Sequence, residues 1–170
     1  MKPFPDEYPE YYNLYINLIK EGDIIKILEE QSSKSQEFMA SIPVDLADST
    51  YGFGKWTIKE VLGHMIDTER IFSYRALRIA RQDKQALPGY DQDEYIKNSN
   101  YFKRTIADIA EEMLFLRCAD IKMFHSFSEH DLMQRGIADD NEFSVNALLY
   151  IIAGHEMYHI KFIKENYLTK

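Results

Sequence analysis

Apolar residues recur at intervals of three and four along most of this chain, the period of helices that each bury one face. Tyr8 to Lys20 carries Tyr11, Tyr12, Tyr15, Ile16 and Ile19 at that spacing, and Gly22 ends it. Asp23 can cap a second helix reaching about Ile42, with Ile24, Ile27, Leu28, Phe38 and Met39 turned inward. Pro43 to Gly54 is polar and rich in turn formers. Thr57-Ile-Lys-Glu60 is a capping box, so a third helix starts there and runs to about Gln82. Leu87-Pro-Gly-Tyr-Asp91 marks a turn inside a longer loop, a candidate pocket rim. Ser99 can cap a helix to about Phe127, and Ser128 to Phe143 reads as a polar crossover containing Gly136. Ser144 caps a last helix ending near Tyr167. No segment alternates well enough to be a strand. The pattern predicts one all-α domain over residues 1–170, a four-helix bundle preceded by a short N-terminal helix.

Three histidines stand out on these helices. His155 and His159 are four residues apart on the last one, which places both rings on one face, a turn apart. On a wheel of about 100° per residue, Leu148, Ile152, Phe162 and Ile163 cluster with them, so the pair points into the bundle. Two adjacent buried imidazoles have four ring nitrogens to satisfy, and a metal ion supplies one partner to each ring. His64 lies at the edge of the apolar stripe of the helix capped by Thr57, with Ile71 and Arg75 on its line and Asp67, Thr68 and Arg78 flanking it. Three imidazoles with an open fourth position form the donor set of a catalytic zinc-type site. Gly154, beside the pair, has room for a neighbouring helix to approach closely.

Other side chains bear on that site. Asp67, one turn from His64, can orient a ligand or hold a bound water, or be a solvated carboxylate. Glu156 flanks both histidines and is a second candidate general base, or a holder of a neighbouring side chain. Glu69 falls on the apolar side of its helix, where a structural ion pair with an arginine is expected. Arg70, Arg75, Arg78 and Arg81 form a basic series whose ordinary role is pairing with acids; the sharper expectation is that Arg75 or Arg78 binds an anionic group of a substrate. His125 and His130 lack partners at useful spacing and are expected at the surface, and Cys118 is expected in the core. His155-Glu-Met-Tyr-His159 also matches the H-E-x-x-H pattern of zinc proteases. Such enzymes take a third ligand downstream, but the eleven residues after His159 contain no histidine, and no substrate-aligning strand is in view.

Composition narrows the partners. A net charge of −8 argues against a nucleic-acid surface unless the basic residues are segregated. A single cysteine excludes an internal disulfide and suits a reducing cytoplasm. No apolar run approaches a membrane span, and the first ten residues do not resemble a signal peptide. The expected setting is cytoplasmic, with no membrane partner and with a homodimer allowed.

At these residues the chain resembles the DinB family of DinB/YfiT-like metalloenzymes. The similar elements are Trp56-Thr-Ile-Lys-Glu-Val-Leu-Gly-His64-Met-Ile-Asp67-Thr-Glu-Arg70, the continuation Tyr74 to Arg81, Leu87-Pro-Gly-Tyr-Asp91, and Ala153-Gly-His155-Glu-Met-Tyr-His159. They run in the family's order from Trp56 onward. The resemblance implies up-down-down-up connectivity and a divalent metal ion, zinc or nickel, on His64, His155 and His159. It also implies small-molecule chemistry, since characterised relatives include thiol-dependent transferases and isomerases. Two function classes follow. In one, the metal activates a low-molecular-weight thiol for S-transfer or a water for hydrolysis, with Asp67 or Glu156 as base and Arg75 or Arg78 as substrate anchor. In the other, the metal is a non-catalytic staple of the bundle or of an interaction protein.

Overall fold

The computed structural model describes residues 1–169. After 3-10 turns at Pro5–Glu7 and Glu10–Tyr12 come α1 (Asn13–Ile16), α2 (Ile24–Ser41), α3 (Ile58–Ala80), α4 (Gln92–Lys97), α5 (Ile106–Phe124), α6 (Glu129–Leu132), a hairpin of β1 (Arg135–Ala138) and β2 (Asn141–Ser144), and α7 (Val145–Asn166). Each long helix begins at a side-chain cap. Asp23 accepts from the backbone N–H groups of Ile25 and Lys26, Thr57 and Glu60 form the reciprocal box, Thr105 accepts from Asp108 N–H, and Ser144 accepts from Ala147 N–H.

Side-chain pairs between helices give the topology. Gln31 reaches Ala153 and Ser35 reaches Glu156, so α2 and α7 run the same way. Arg117 reaches Leu28 and Gln36 reaches Ala110, so α2 and α5 are antiparallel. Glu69 meets Arg117 and Ser73 meets Asp120, so α3 runs with α5. His64 meets His155, and Tyr167 donates to the carbonyl of Trp56, so α3 opposes α7. The order along the chain is therefore up, down, down, up, with α2 and α3 on a diagonal joined by the Ile42–Thr57 crossover.

The bundle interior has two apolar clusters. One gathers Leu28, Phe72, Ala76, Phe124, Leu148 and Ile152 with α1 and the hairpin. The other gathers Phe38, Leu62, Met65, Ile109, Met113 and Ile163. Between them lies a layer of buried polar side chains, among them Gln31, Ser35, His64, Thr68, Glu69, Arg117, His155 and Glu156. Arg117 is its centre. Its Nε and Nη2 donate to the two oxygens of Glu69 at 2.6 and 2.7 Å, and Nη2 also donates to Glu156 Oε2 at 2.6 Å. Glu156 Oε1 accepts from the Ser35 hydroxyl at 2.5 Å, so one network touches all four long helices. Burial works against the charge of Arg117, but the attraction of Glu156 and Glu69 outweighs it and raises its pKa. Burial also raises the pKa of Glu69, against the pull of Arg117.

Four expectations are corrected. The segment Tyr8–Lys20 is not one helix but a 3-10 turn followed by the four residues of α1. Its course is set by packing: a Cβ at Gly154 would lie 2.3 Å from the Tyr15 carbonyl oxygen, so α1 presses its backbone onto α7. Ser99 does not open α5; its hydroxyl donates to the Ile96 carbonyl at the end of α4, and α5 is capped six residues later by Thr105. The crossover holds a two-stranded antiparallel hairpin, with Arg135 opposite Ser144 and Ala138 opposite Asn141. Its turn residues Asp139 and Asp140 have φ of 51° and 58°, the primed turn that matches strand twist. Four-residue strands turned by Asp-Asp rather than a glycine pair carry too little alternation to be seen in the sequence. Cys118 is exposed, because Arg117 takes the inward position beside it. Among the described residues no helix is long and apolar enough to cross a membrane.

The buried acid Asp120 makes stability depend on pH. It accepts from the Ser73 hydroxyl at 2.6 Å, and Glu69, Arg117 and Arg70 are the charges around it. Burial pushes its pKa up to about 6 from 3.8. A raised carboxyl pKa favours folding below the unfolded value, and that contribution is lost as pH rises through 6. Asp120→Asn should therefore gain stability relative to wild type between pH 4 and pH 7, by on the order of 2–3 kcal/mol, measured by urea unfolding at the two pH values. An unchanged difference between the two proteins across that range would contradict this.

Candidate metal centre

The polar layer also brings the three histidines together. His155 Nε2 lies 3.0 Å from His64 Nε2 and 3.1 Å from His159 Nε2, and one nitrogen from each ring falls within 4.8 Å of the others. An ion with Nε2 bonds of about 2.0–2.1 Å in tetrahedral geometry holds its ligand nitrogens roughly 3.3 Å apart, so the spacing fits. The group contains no carboxylate and no thiolate. Burial lowers the pKa of His64 to about 4 and that of His159 to about 3, the latter with help from the charge of His64. Burial also holds His155 well below 6.5, followed by the charges of His159 and His64. All three rings are therefore neutral near pH 7, the form that binds a metal.

Aromatic packing fixes the rings. Trp56 lies 5.0 Å from the His64 centroid, Tyr15 lies 5.2 Å from His155, and Tyr158 lies 5.3 Å from His159. Thr68 Oγ1 is 3.4 Å from His64 Nδ1 and 2.7 Å from the Tyr90 hydroxyl. His159 Nδ1 is buried with no hydrogen-bond partner among the described residues, so only packing and the Nε2 contact to His155 hold that ring. Two cavities meet the cluster from different sides. One, of about 590 Å³, is lined by His159 with Tyr51, Trp56, Tyr158 and Phe162. The other, of about 140 Å³, is lined by His155 with Tyr12, Thr68, Arg75 and Tyr90. A third cavity, of about 720 Å³, lies between α2 and α7 and includes none of the three histidines.

The structure sorts the remaining candidates. Glu156 is no free base: one oxygen is taken by Arg117 and the other by Ser35, because the residue after His155 on α7 turns into the ion-pair network. Asp67 does not orient His64; that contact belongs to Thr68. Asp67 Oδ1 accepts from the Tyr101 hydroxyl at 2.9 Å, while Oδ2 makes no hydrogen bond among the described residues, and burial raises its pKa. Gly63 makes room for this arrangement, since a Cβ there would lie 2.2 Å from the Tyr101 ring. Arg78 is not near the histidines. It pairs with Asp83 and bonds the Tyr74 hydroxyl and Gln85, because the loop after α3 folds back beneath it. Arg75 alone of the basic series lines a cavity shared with a histidine of the cluster. Glu69 is the expected structural ion pair, and His125 and His130 are exposed.

This geometry can be set beside known proteins. A family model of the DinB superfamily matches residues 27–163. The chain belongs to the DinB superfamily. No curated protein matches it. Among solved structures, this DinB chain is similar to YfiT from Bacillus subtilis, at 16% identity and a TM-score of 0.73, over 90% of this chain and 95% of that one. YfiT is described as a probable metal-dependent hydrolase with an unusual four-helix bundle topology. At that identity the likeness concerns the fold, a four-helix bundle in both.

Loss of one ligand should abolish tight binding, because the two remaining imidazoles fill only half of a four-coordinate shell. His155→Ala is expected to retain helical circular dichroism and lose most of the divalent ion held by wild type, about one per chain, by elemental analysis after dialysis. Full occupancy in that variant would refute the site.

Proposed function

We propose that this DinB protein is a metal-dependent hydrolase of small molecules. The observation that carries the proposal is the convergence of three neutral imidazoles with no fourth protein donor in the group, a set that leaves coordination open. A divalent ion held there lowers the pKa of a bound water, or of a bound thiol, and so supplies a nucleophile at neutral pH. His64, His155 and His159 would hold the ion. The aromatic cavity at His159 gives a substrate of modest size an approach with low local dielectric, which strengthens charge interactions inside it. Asp67 is the proton acceptor in this proposal: it keeps one oxygen free, sits one turn from His64, and its raised pKa moves it towards the range a general base needs. The description of YfiT supports hydrolysis over thiol transfer. Which metal serves, zinc or nickel, is chosen by loading.

The test is hydrolysis of p-nitrophenyl acetate by zinc- and nickel-loaded protein, with and without cysteine or glutathione. The rate should exceed that of the free ion, fall to background in His155→Ala, and drop about 10²–10⁴-fold in Asp67→Asn with the ion retained. A rate that appears only with thiol would replace hydrolysis by S-transfer. No rate above the free ion under either condition would overturn the enzymatic account.

A further inference from the structure

Arg75 is a buried cation without an anion. It is 2% exposed, yet among the described residues it forms no ion pair, unlike Arg70, Arg78, Arg104, Arg117 and Arg135. Its guanidinium packs 5.1 Å from the Phe72 ring and makes one hydrogen bond, from Nη2 to the Pro88 carbonyl at 2.8 Å. Whichever proton Nη2 uses there, one two-donor edge of the rigid fork is left over. Burying a charge with so few partners costs free energy, and two acids pair with Arg117 whereas none among the described residues pairs with Arg75.

The unused edge belongs to the 140 Å³ cavity that Arg75 shares with Tyr12, Thr68, Tyr90, Gln92 and His155. Burial raises the phenol pKa values, that of Tyr12 to about 12, so both tyrosines stay protonated and can donate. Asp139, the one acid on the lining, is exposed. The Pro88–Tyr90 rim is tied down by the hairpin, since Leu87 N–H donates to the Ile137 carbonyl and Asp139 N–H to the Leu87 carbonyl.

We infer that this cavity binds the carboxylate of an elongated small-molecule substrate whose reacting bond lies at the three histidines. The inference rests on the metal site proposed above and names the substrate class for it. One positive charge and one two-donor edge match a single carboxylate; a phosphate dianion would stay half neutralised. The volume holds only a few water molecules' worth of ligand, at about 30 Å³ each. Arg75 follows His64 by eleven residues, roughly 16 Å along the helix axis, and its side chain leans back towards the cluster. The carboxylate and the reacting group are therefore separated by several bonds.

Hydroxamic acids test this, because the hydroxamate binds the metal and the tail probes Arg75. Zinc-loaded protein is titrated calorimetrically with acetohydroxamic acid, with a series of hydroxamic acids ending in a carboxylate, and with their methyl esters. At one chain length the acid should bind about tenfold or more tightly than its ester. Arg75→Gln should remove that preference and leave acetohydroxamic acid binding unchanged; Arg75→Lys, with the charge but not the fork, should keep part of it. An acid-to-ester ratio near unity at every length, or a ratio that survives Arg75→Gln, overturns the carboxylate site while the metal site stands. The wild-type ratio decides even where the variant fails to fold. Failure of acetohydroxamic acid itself to bind wild type overturns the metal site, and the carboxylate site falls with it.

Discussion

Arg117, gripped by Glu69 on one side and Glu156 on the other, sets how the helices of this bundle face one another. Apolar contacts alone tolerate small rotations and slips of a helix, since one buried aliphatic side chain can replace another. A buried guanidinium cannot be moved off its carboxylates without leaving unpaired charge, which costs about 3–5 kcal/mol. The network therefore specifies register more than it adds net stability. Its reach to Ser35 and to the Leu28 carbonyl brings α2 into the same constraint.

The constraint bears directly on the histidines. Glu156 follows His155 on α7, so the rotation that seats Glu156 against Arg117 also aims His155, and with it His159 one turn on, towards His64. Glu69 plays the same part on α3, five residues after His64. The ion-pair network and the imidazole cluster occupy one polar layer between two apolar clusters, which keeps water scarce around both. Scarce water is also what holds the rings neutral and ready for a cation. In this account H-E-x-x-H is an orienting motif: its histidines point to the ion and its glutamate to the scaffold.

Much of this was legible in the chain because the signals were strong and local. The four-residue spacing of His155 and His159 in an apolar stripe, the Thr57–Glu60 box, and the caps at Asp23 and Ser144 each have one geometric consequence, and each is found. The misses depend on partners distant in sequence. Glu156 reads as a base or as a holder of a neighbouring side chain, and the sequence does not decide between them because the partner, Arg117, lies 39 residues away. The clue was an arginine in line with Ile109, Met113 and Phe124 on the buried face of α5, opposite acids on the buried faces of α3 and α7. Tyr90 reaches Thr68, beside His64 on α3, from a loop whose course is set by the hairpin, and that hairpin has an Asp-Asp turn with no glycine to announce it. Arg75 and Arg78 are alike on a helical wheel; only the fold shows that one faces a cavity and the other its own loop.

The central claim is that three imidazoles hold one divalent ion and leave its coordination open. Metal-edge X-ray absorption of the zinc-loaded protein tests it most directly. The account predicts a first shell of about four light scatterers near 2.0–2.1 Å, three showing imidazole multiple scattering and one exchanging with added hydroxamate. A sulfur scatterer near 2.3 Å, a fourth protein ligand that hydroxamate does not displace, or fewer than three imidazoles would contradict it.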